Sequence, residues 1–216
     1  MNILHPLEHI MGKSQQAMNI LSRVLTQLLN VPVLSGLFLL YLYFTLPGTT
    51  PNRLNGFLLA LLFVSIIPEL SVLFYIPGKN MDHDAVLHRQ RTVSFILMAV
   101  SYPIGWLVLH LTHAPRIFEA MACTYTFVTV GLIFFNLLLH YKASGHAAGV
   151  AGPVAAMIFL FGIWAAPLLL LLPLVSWVRV TAKGHTFWQT VVGSVLSFAI
   201  TVCVLFVFGF IPFKGI

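Results

Sequence analysis

Read for polarity alone, the chain is a succession of long apolar runs separated by short polar connections. The runs cover residues 31–46, 54–76, 93–111, 117–139, 147–163, 167–178 and 187–211. A helix needs about 20 apolar residues to cross roughly 30 Å of hydrocarbon, and shorter runs can be accommodated by tilt or proline kinks. The pattern therefore predicts an all-α, polytopic transmembrane bundle of six or seven helices, built from residues 31–216 as one domain. Ahead of it, "SQQAMNILSRVLTQLLN" (14–30) sets Met18, Leu21, Val24, Leu25, Leu28 and Leu29 against Gln15, Asn19, Ser22, Arg23 and Gln27. Residues 1–30 thus read as an amphipathic interfacial segment, with packing of the same helix over the protein's own loops as an equal alternative.

Composition sharpens this picture. Of 216 residues, 59% are hydrophobic and 7% are charged, against about a quarter charged in an ordinary soluble domain. The expected location is a membrane, the cell membrane by preference, with several crossings. A net charge of +6 then describes where loops sit rather than affinity for nucleic acid, since no basic run with interleaved aromatics occurs. Cys123 and Cys203 fall in apolar runs without metal-binding spacing, so both read as reduced packing residues. The first 30 residues contain no apolar core of a cleavable signal. Oligomeric state is not set by the sequence.

The polar connections carry the candidate chemistry. Three are dense: "PGKNMDHDAVLHRQRT" (77–92), "HYKASGHAAGVAG" (140–152) and "RVTAKGHTFWQ" (179–189). Two apolar runs separate the first from the second, and two more separate the second from the third, so all three are expected on one face. That face collects Arg89, Arg91, Lys142, Ser144, His146, Arg179, Lys183 and His185. Guanidinium and ammonium groups offer donors without acceptors, and arginine suits bidentate binding of phosphate oxygens. Two histidines can supply a nucleophile and a general acid near neutral pH. Ser-Gly-His at a helix start presents backbone N–H groups to an anion. The combination is one suited to phosphoryl transfer. The small residues Gly145, Ala148, Gly149, Gly152 and Ala156 are expected to let their helix approach its neighbours. Glu69, inside the second run beside Pro68, is expected to face the bundle interior, paired or protonated.

At these residues the chain resembles the type 2 phosphatidic acid phosphatase superfamily, whose members carry K-x6-R-P, then P-S-G-H, then S-R-x5-H-x3-D. The second motif stands here as "ASGH" (143–146) and the third as "VRVTAKGHTFWQ" (178–189), with Arg179 and His185 at the family spacing and Gly193 at a position often small. In the first motif Arg91 aligns, while Asp84 and Thr92 occupy the lysine and proline positions. The resemblance implies a divergent, metal-independent lipid phosphate phosphohydrolase without cofactors. It makes His185 the nucleophile that forms a phosphohistidine, and His146 the acid that protonates the leaving oxygen and later activates water. Arg91, Arg179, Ser144 and the Gly145 N–H would bind the phosphoryl oxygens. Gln189 replaces the orienting aspartate; its carbonyl can hold the imidazole tautomer but brings no charge, which implies a slower enzyme. Asp82 or Asp84 could fold in to supply that charge, and Lys142 or Arg89 could replace the missing lysine. The implied substrate is an amphiphile, a phosphatidic acid-like lipid or an isoprenyl mono- or diphosphate, met among membrane lipids. A catalytically degenerate relative that binds lipid phosphate or scaffolds partners is the alternative. "NMDHD" (80–84) also has the look of an aspartate-rich metal-diphosphate motif, but no second copy accompanies it.

Overall fold

The computed structural model describes residues 30–75, 83–182 and 184–216, with side chains described for these except residues 74–91. The expected amphipathic segment at residues 1–30 lies almost wholly outside the described part. Among the described residues every regular element is a helix, and each of the seven apolar runs is largely helical. In chain order these are α1 (Val31–Thr45), α2 (Arg53–Ala60), α3 (His83–Leu111), α4 (Arg116–Ile133), α5 (Gly145–Phe161), α6 (Leu171–Thr181) and α7 (Phe187–Val207). Five stretches are long and apolar enough to cross a membrane, and Val31–Thr45 is a shorter apolar helix. This is a membrane protein.

Local departures from regular helix have identifiable chemical causes. α2 continues as a π-helical segment, Leu61–Ile66, and then as a 3-10 segment, Leu70–Tyr75. Pro68 lacks an N–H, which leaves the Val64 carbonyl without its partner four residues on. Ser35 of α1 donates to that carbonyl at 3.4 Å. Ser65, from the same segment, donates to the Pro32 carbonyl of α1. A hydroxyl thus crosses the α1–α2 interface from each side, which satisfies backbone groups that apolar surroundings cannot. Glu69 behaves as expected: it is half-buried, and the Asn30 side-chain amide donates to it at 2.9 and 3.2 Å.

The stretch Gly145–Thr181, 37 residues long, is a hairpin rather than one span. α5 stops at Gly162, whose φ of +66° favours glycine and caps the helix. The chain returns through the 3-10 segment Gly162–Leu170 into α6. Ala147, Val150 and Val154 of α5 share one buried cluster with Val175 and Val178 of α6, which puts the end of α6 beside the start of α5. The C-terminal segment closes the far end of the hairpin, with the Phe213 and Gly215 amides donating to the Phe159 and Leu160 carbonyls at 2.8 and 2.9 Å.

α5 and α7 form the tightest pairing. Along α7, Gly193, Ser197 and Thr201 recur every fourth residue and are buried. A methyl added to Gly193 would penetrate the backbone carbonyl of Ser144, and one on Gly152 would lie 3.0 Å from the Ser197 hydroxyl. A methyl on Gly149 would collide with Val31 of α1. Small residues therefore set the interhelical distance, as expected within a membrane. Gly145 differs: its added methyl would meet only Leu132 and Phe95, at 3.8 and 3.9 Å, so packing does not demand glycine there. The cysteines also part company. Cys123 is a buried packing residue, whereas Cys203 faces outward, so the expectation of packing fails for it.

The end of the bundle opposite the α5 start is tied by polar groups of its own. Arg53 donates to the Tyr43 carbonyl at 2.7 and 3.0 Å and lies over the Tyr43 ring at 4.2 Å, closing the last turn of α1. Arg53→Ala is expected to lower stability by about 1–2 kcal/mol, through the loss of charge-assisted bonds to a helix terminus. Thermal unfolding in detergent, compared with Arg53→Lys, checks this.

Candidate functional site

The start of α5, the end of α6 and the start of α7 meet at one end of the bundle. Ser144 is the N-cap of α5, its Oγ accepting from the Ala147 N–H at 3.3 Å. Its own N–H donates to the Gln189 carbonyl, in the first turn of α7, at 3.0 Å. Lys142, two residues earlier, donates from Nζ to the Gly184 carbonyl at 3.1 Å. Residues more than 40 positions apart in sequence are thus bonded directly, and the second and third polar connections share one end of the bundle.

The five residues between Arg179 and His185 have a geometric meaning. The Arg179 carbonyl, in the last turn of α6, accepts from the Gly184 N–H at 3.1 Å and from the His185 N–H at 3.4 Å. The chain therefore doubles back on its own helix end. Arg179 is buried, at 8% exposure, and its guanidinium folds over the same loop. A methyl on Gly184 would come 3.0 Å from the nearest guanidinium nitrogen, which explains a small residue there. The Arg179 guanidinium and the Lys142 ammonium thus both lie against the His185 loop.

Thr186 and Gln189 then open α7 with a reciprocal cap. The Gln189 N–H donates to the Thr186 hydroxyl at 3.4 Å, and the Thr186 N–H donates to Gln189 Oε1 at 3.0 Å. This T-x-x-Q capping box gives Gln189 a structural role that the sequence reading missed, although its signature is plain in "TFWQ" (186–189). The Gln189 side chain also lies close enough to the His185 imidazole to favour its protonated form, as does the Lys142 backbone.

Electrostatics at His185 run the other way on balance. Burial, then Arg179, then Lys142 oppose protonation, and its pKa falls from 6.5 to about 4. The imidazole is neutral at neutral pH, the state in which a ring nitrogen is nucleophilic. Among the described residues its buried Nδ1 has no hydrogen-bond partner. The described carboxylates sit elsewhere, Glu69 with Asn30 and Glu119 with His110. Arg179 and Lys142 both put positive charge beside His185.

A consequence for stability follows. Between pH 6.5 and about 4 the unfolded chain's imidazole holds its proton while the folded one does not. The unfolded state then binds more protons, so stability falls as pH drops through that window. His185→Gln is expected to flatten that part of the profile, as read by thermal unfolding across pH.

The other expected site residues are placed as follows. Gly145 and His146 occupy the first turn of α5, half-buried, beside Ser144. Ser144 itself is fully buried, so its oxygen serves the cap and its backbone rests on Gly193. Asp84, Arg89 and Arg91 belong to the first turns of α3, where the backbone alone is described. Phe95, one turn beyond Arg91, reaches the neighbourhood of Gly145, so the Arg91 backbone lies roughly 6 Å along the same helix. Asp82 and Lys183 lie outside the described residues. An inner cavity of about 20 Å³, lined in part by Thr124, Tyr125, Gly152 and Ser197, sits deeper between α4, α5 and α7. It does not touch Lys142, Arg179 or His185. Among the described residues no group of three or more His, Cys, Asp or Glu could hold a metal ion.

Compared with known proteins, the chain matches no family model, no curated protein and no solved structure. The functional reading therefore rests on the residues and their geometry.

Proposed function

We propose that this protein is a multi-pass, metal-independent lipid phosphate phosphohydrolase. In this reading the helices cross the membrane seven times, and the α5 and α7 starts open on one face. The observation that carries it is the junction of Lys142 and Ser144 with Gly184 and Gln189, which sets a neutral His185 beside Arg179 and Lys142. A lipid phosphate held by the two cations would bring phosphorus to the imidazole. The P–O bond to the lipid breaks as the N–P bond forms, and His146 gives the departing oxygen its proton. Water, deprotonated by His146, then attacks the phosphohistidine, and inorganic phosphate leaves. Arg179 and Lys142 stabilise charge on the equatorial oxygens in both steps, with Arg91 and Arg89 of α3 as further cations.

Release of inorganic phosphate by purified protein from phosphatidic acid, isoprenyl monophosphate and isoprenyl diphosphate tests the proposal. Release from at least one, lost in His185→Ala, is the expected result.

One observation favours the second reading, a non-catalytic lipid-phosphate binder. Gln189 Oε1 is engaged by the Thr186 N–H, and an amide in the aspartate's place brings no negative charge to His185. Lipid phosphate retained through purification without turnover would select that reading. Gln189→Glu discriminates further, because glutamate keeps the acceptor reach of the cap, whereas aspartate is a methylene short. Its carboxylate at a helix N-terminus is expected to hold or raise stability by about 0.5 kcal/mol. It is also expected to raise the His185 pKa, moving the acid limb of kcat/KM upward in pH.

A further inference from the structure

Four tryptophans are present in the chain, and three lie on the outside near its two ends. Trp177 in α6 and Trp188 in α7 are 40% and 68% exposed, and flank the His185 loop together with Phe187. Trp164, 89% exposed, stands just past the Gly162 turn at the opposite end, near the folded-back C-terminal segment with its exposed Phe213. Trp177 is two residues from Arg179, and Trp188 is three from His185, yet Arg179 is buried while both indoles point away from the bundle. Between these ends the outward side chains include the aliphatic Leu170 and Val195, with Phe127 of α4 also outward but no tryptophan.

The axial spacing is informative. Along α7, Trp188 and the exposed Phe206 are 18 residues apart, or about 27 Å at 1.5 Å per residue. From Trp164 to Trp177 the 3-10 segment and α6 cover roughly 22 Å. Both approach the roughly 30 Å of a bilayer's hydrocarbon core, at whose boundaries indoles concentrate because one edge is apolar and the N–H seeks water.

We infer that the His185 loop is seated in the headgroup layer of a phospholipid bilayer, held there by an outward collar of Trp177, Phe187 and Trp188. A membrane lipid's phosphate then lies level with Arg179 and Lys142 while its tails stay in the hydrocarbon. The seating stands on the collar and the spacing alone; its consequence for turnover rests on the hydrolase reading above.

The test replaces Trp106, Trp164 and Trp177 by Phe, leaving Trp188 as the sole indole, in phosphatidylcholine vesicles carrying spin labels at the headgroup, carbon 5 or carbon 12. Quenching at least twofold stronger from the headgroup or carbon-5 label than from carbon 12 is expected. Strongest quenching from carbon 12, or quenching by aqueous iodide exceeding that by every lipid label, would overturn the seating. So would shielding from all quenchers, which would mean a protein partner covers the collar. If the triple replacement does not fold, the difference in quenching between wild type and Trp188→Phe gives the same depth. For turnover, Trp188→Ala is expected to slow phosphate release from phosphatidic acid in vesicles five- to tenfold and to leave a short-chain soluble phosphate monoester unaffected. Equal loss on both would overturn the presentation role. No release from either by the wild type would defeat the hydrolase reading and leave the depth result standing.

Discussion

Gly193→Val is expected to abolish function and to lower stability substantially. A single methyl at position 193 would already overlap the Ser144 carbonyl, and the obstacle is backbone rather than a side chain that could turn aside. The strain can relax only by parting α5 from α7 or by pushing the 142–146 segment outward. Overpacking of this kind costs about 1–3 kcal/mol, and a displacement of about 1 Å at a catalytic group is enough for a 100-fold loss of rate. Gly193→Ala is expected to cost both stability and activity in lesser degree, and Gly145→Ala, whose added methyl meets only ordinary contacts, should cost little stability. Thermal unfolding and phosphate release measured on the three variants check the order. Equal stability of Gly193→Val and Gly145→Ala would contradict the packing account.

Arg179→Ala should be nearly as damaging to activity and should act through charge. The guanidinium is buried against the His185 loop, and its carbonyl anchors that loop through two amides. The backbone anchor survives the substitution, whereas the cation does not. Loss of one such donor to a developing phosphoryl charge is worth about 100- to 1,000-fold. Arg179 is also the larger of the two cationic influences that hold His185 neutral, so its removal is expected to raise the His185 pKa from about 4 toward 6.5. The acid limb of kcat/KM, once the substrate's own phosphate ionisation is allowed for, should move to higher pH in Arg179→Ala. An unmoved limb with retained rate would remove Arg179 from the site.

Much of the architecture was legible because apolar runs in a membrane chain have few alternatives to helix. Counting apolar runs as alternating helices placed residues 142–146 and 179–189 at one end, where they are bonded to each other. What escaped the sequence was finer. The hairpin at Gly162 depends on a left-handed glycine and on a C-terminal segment that returns to cover it, and no local pattern announces that return. Small residues were noticed on α5, and Gly193 on α7, but the stripe that Gly193 forms with Ser197 and Thr201 was not, because serine and threonine look polar until their spacing of four is counted. Gln189 was read only against the aspartate of a resembling family. Its place three residues after Thr186 was the stronger local signal, and the capping box is what the structure displays. Ser144, expected as a phosphate ligand, is seen as the helix cap on which Gly193 rests.

The first polar connection stands differently. Arg89 and Arg91 lie in the opening turns of α3, and Asp84 lies in its first turn. Phe95 brings that helix to Gly145, which sets the start of α3 at the same end of the bundle as residues 142–146 and 179–189.

At the centre of the account is a covalent claim: an unprotonated ring nitrogen beside Arg179 and Lys142 takes the phosphoryl group. Brief exposure of detergent-solubilised protein to a radiolabelled lipid phosphate, followed by an alkaline quench and mapping of the label, reads it directly. The account expects acid-labile, base-stable label on the peptide containing His185, increased in His146→Asn and missing from His185→Gln. Turnover without any such label, or label that survives in His185→Gln, would contradict it.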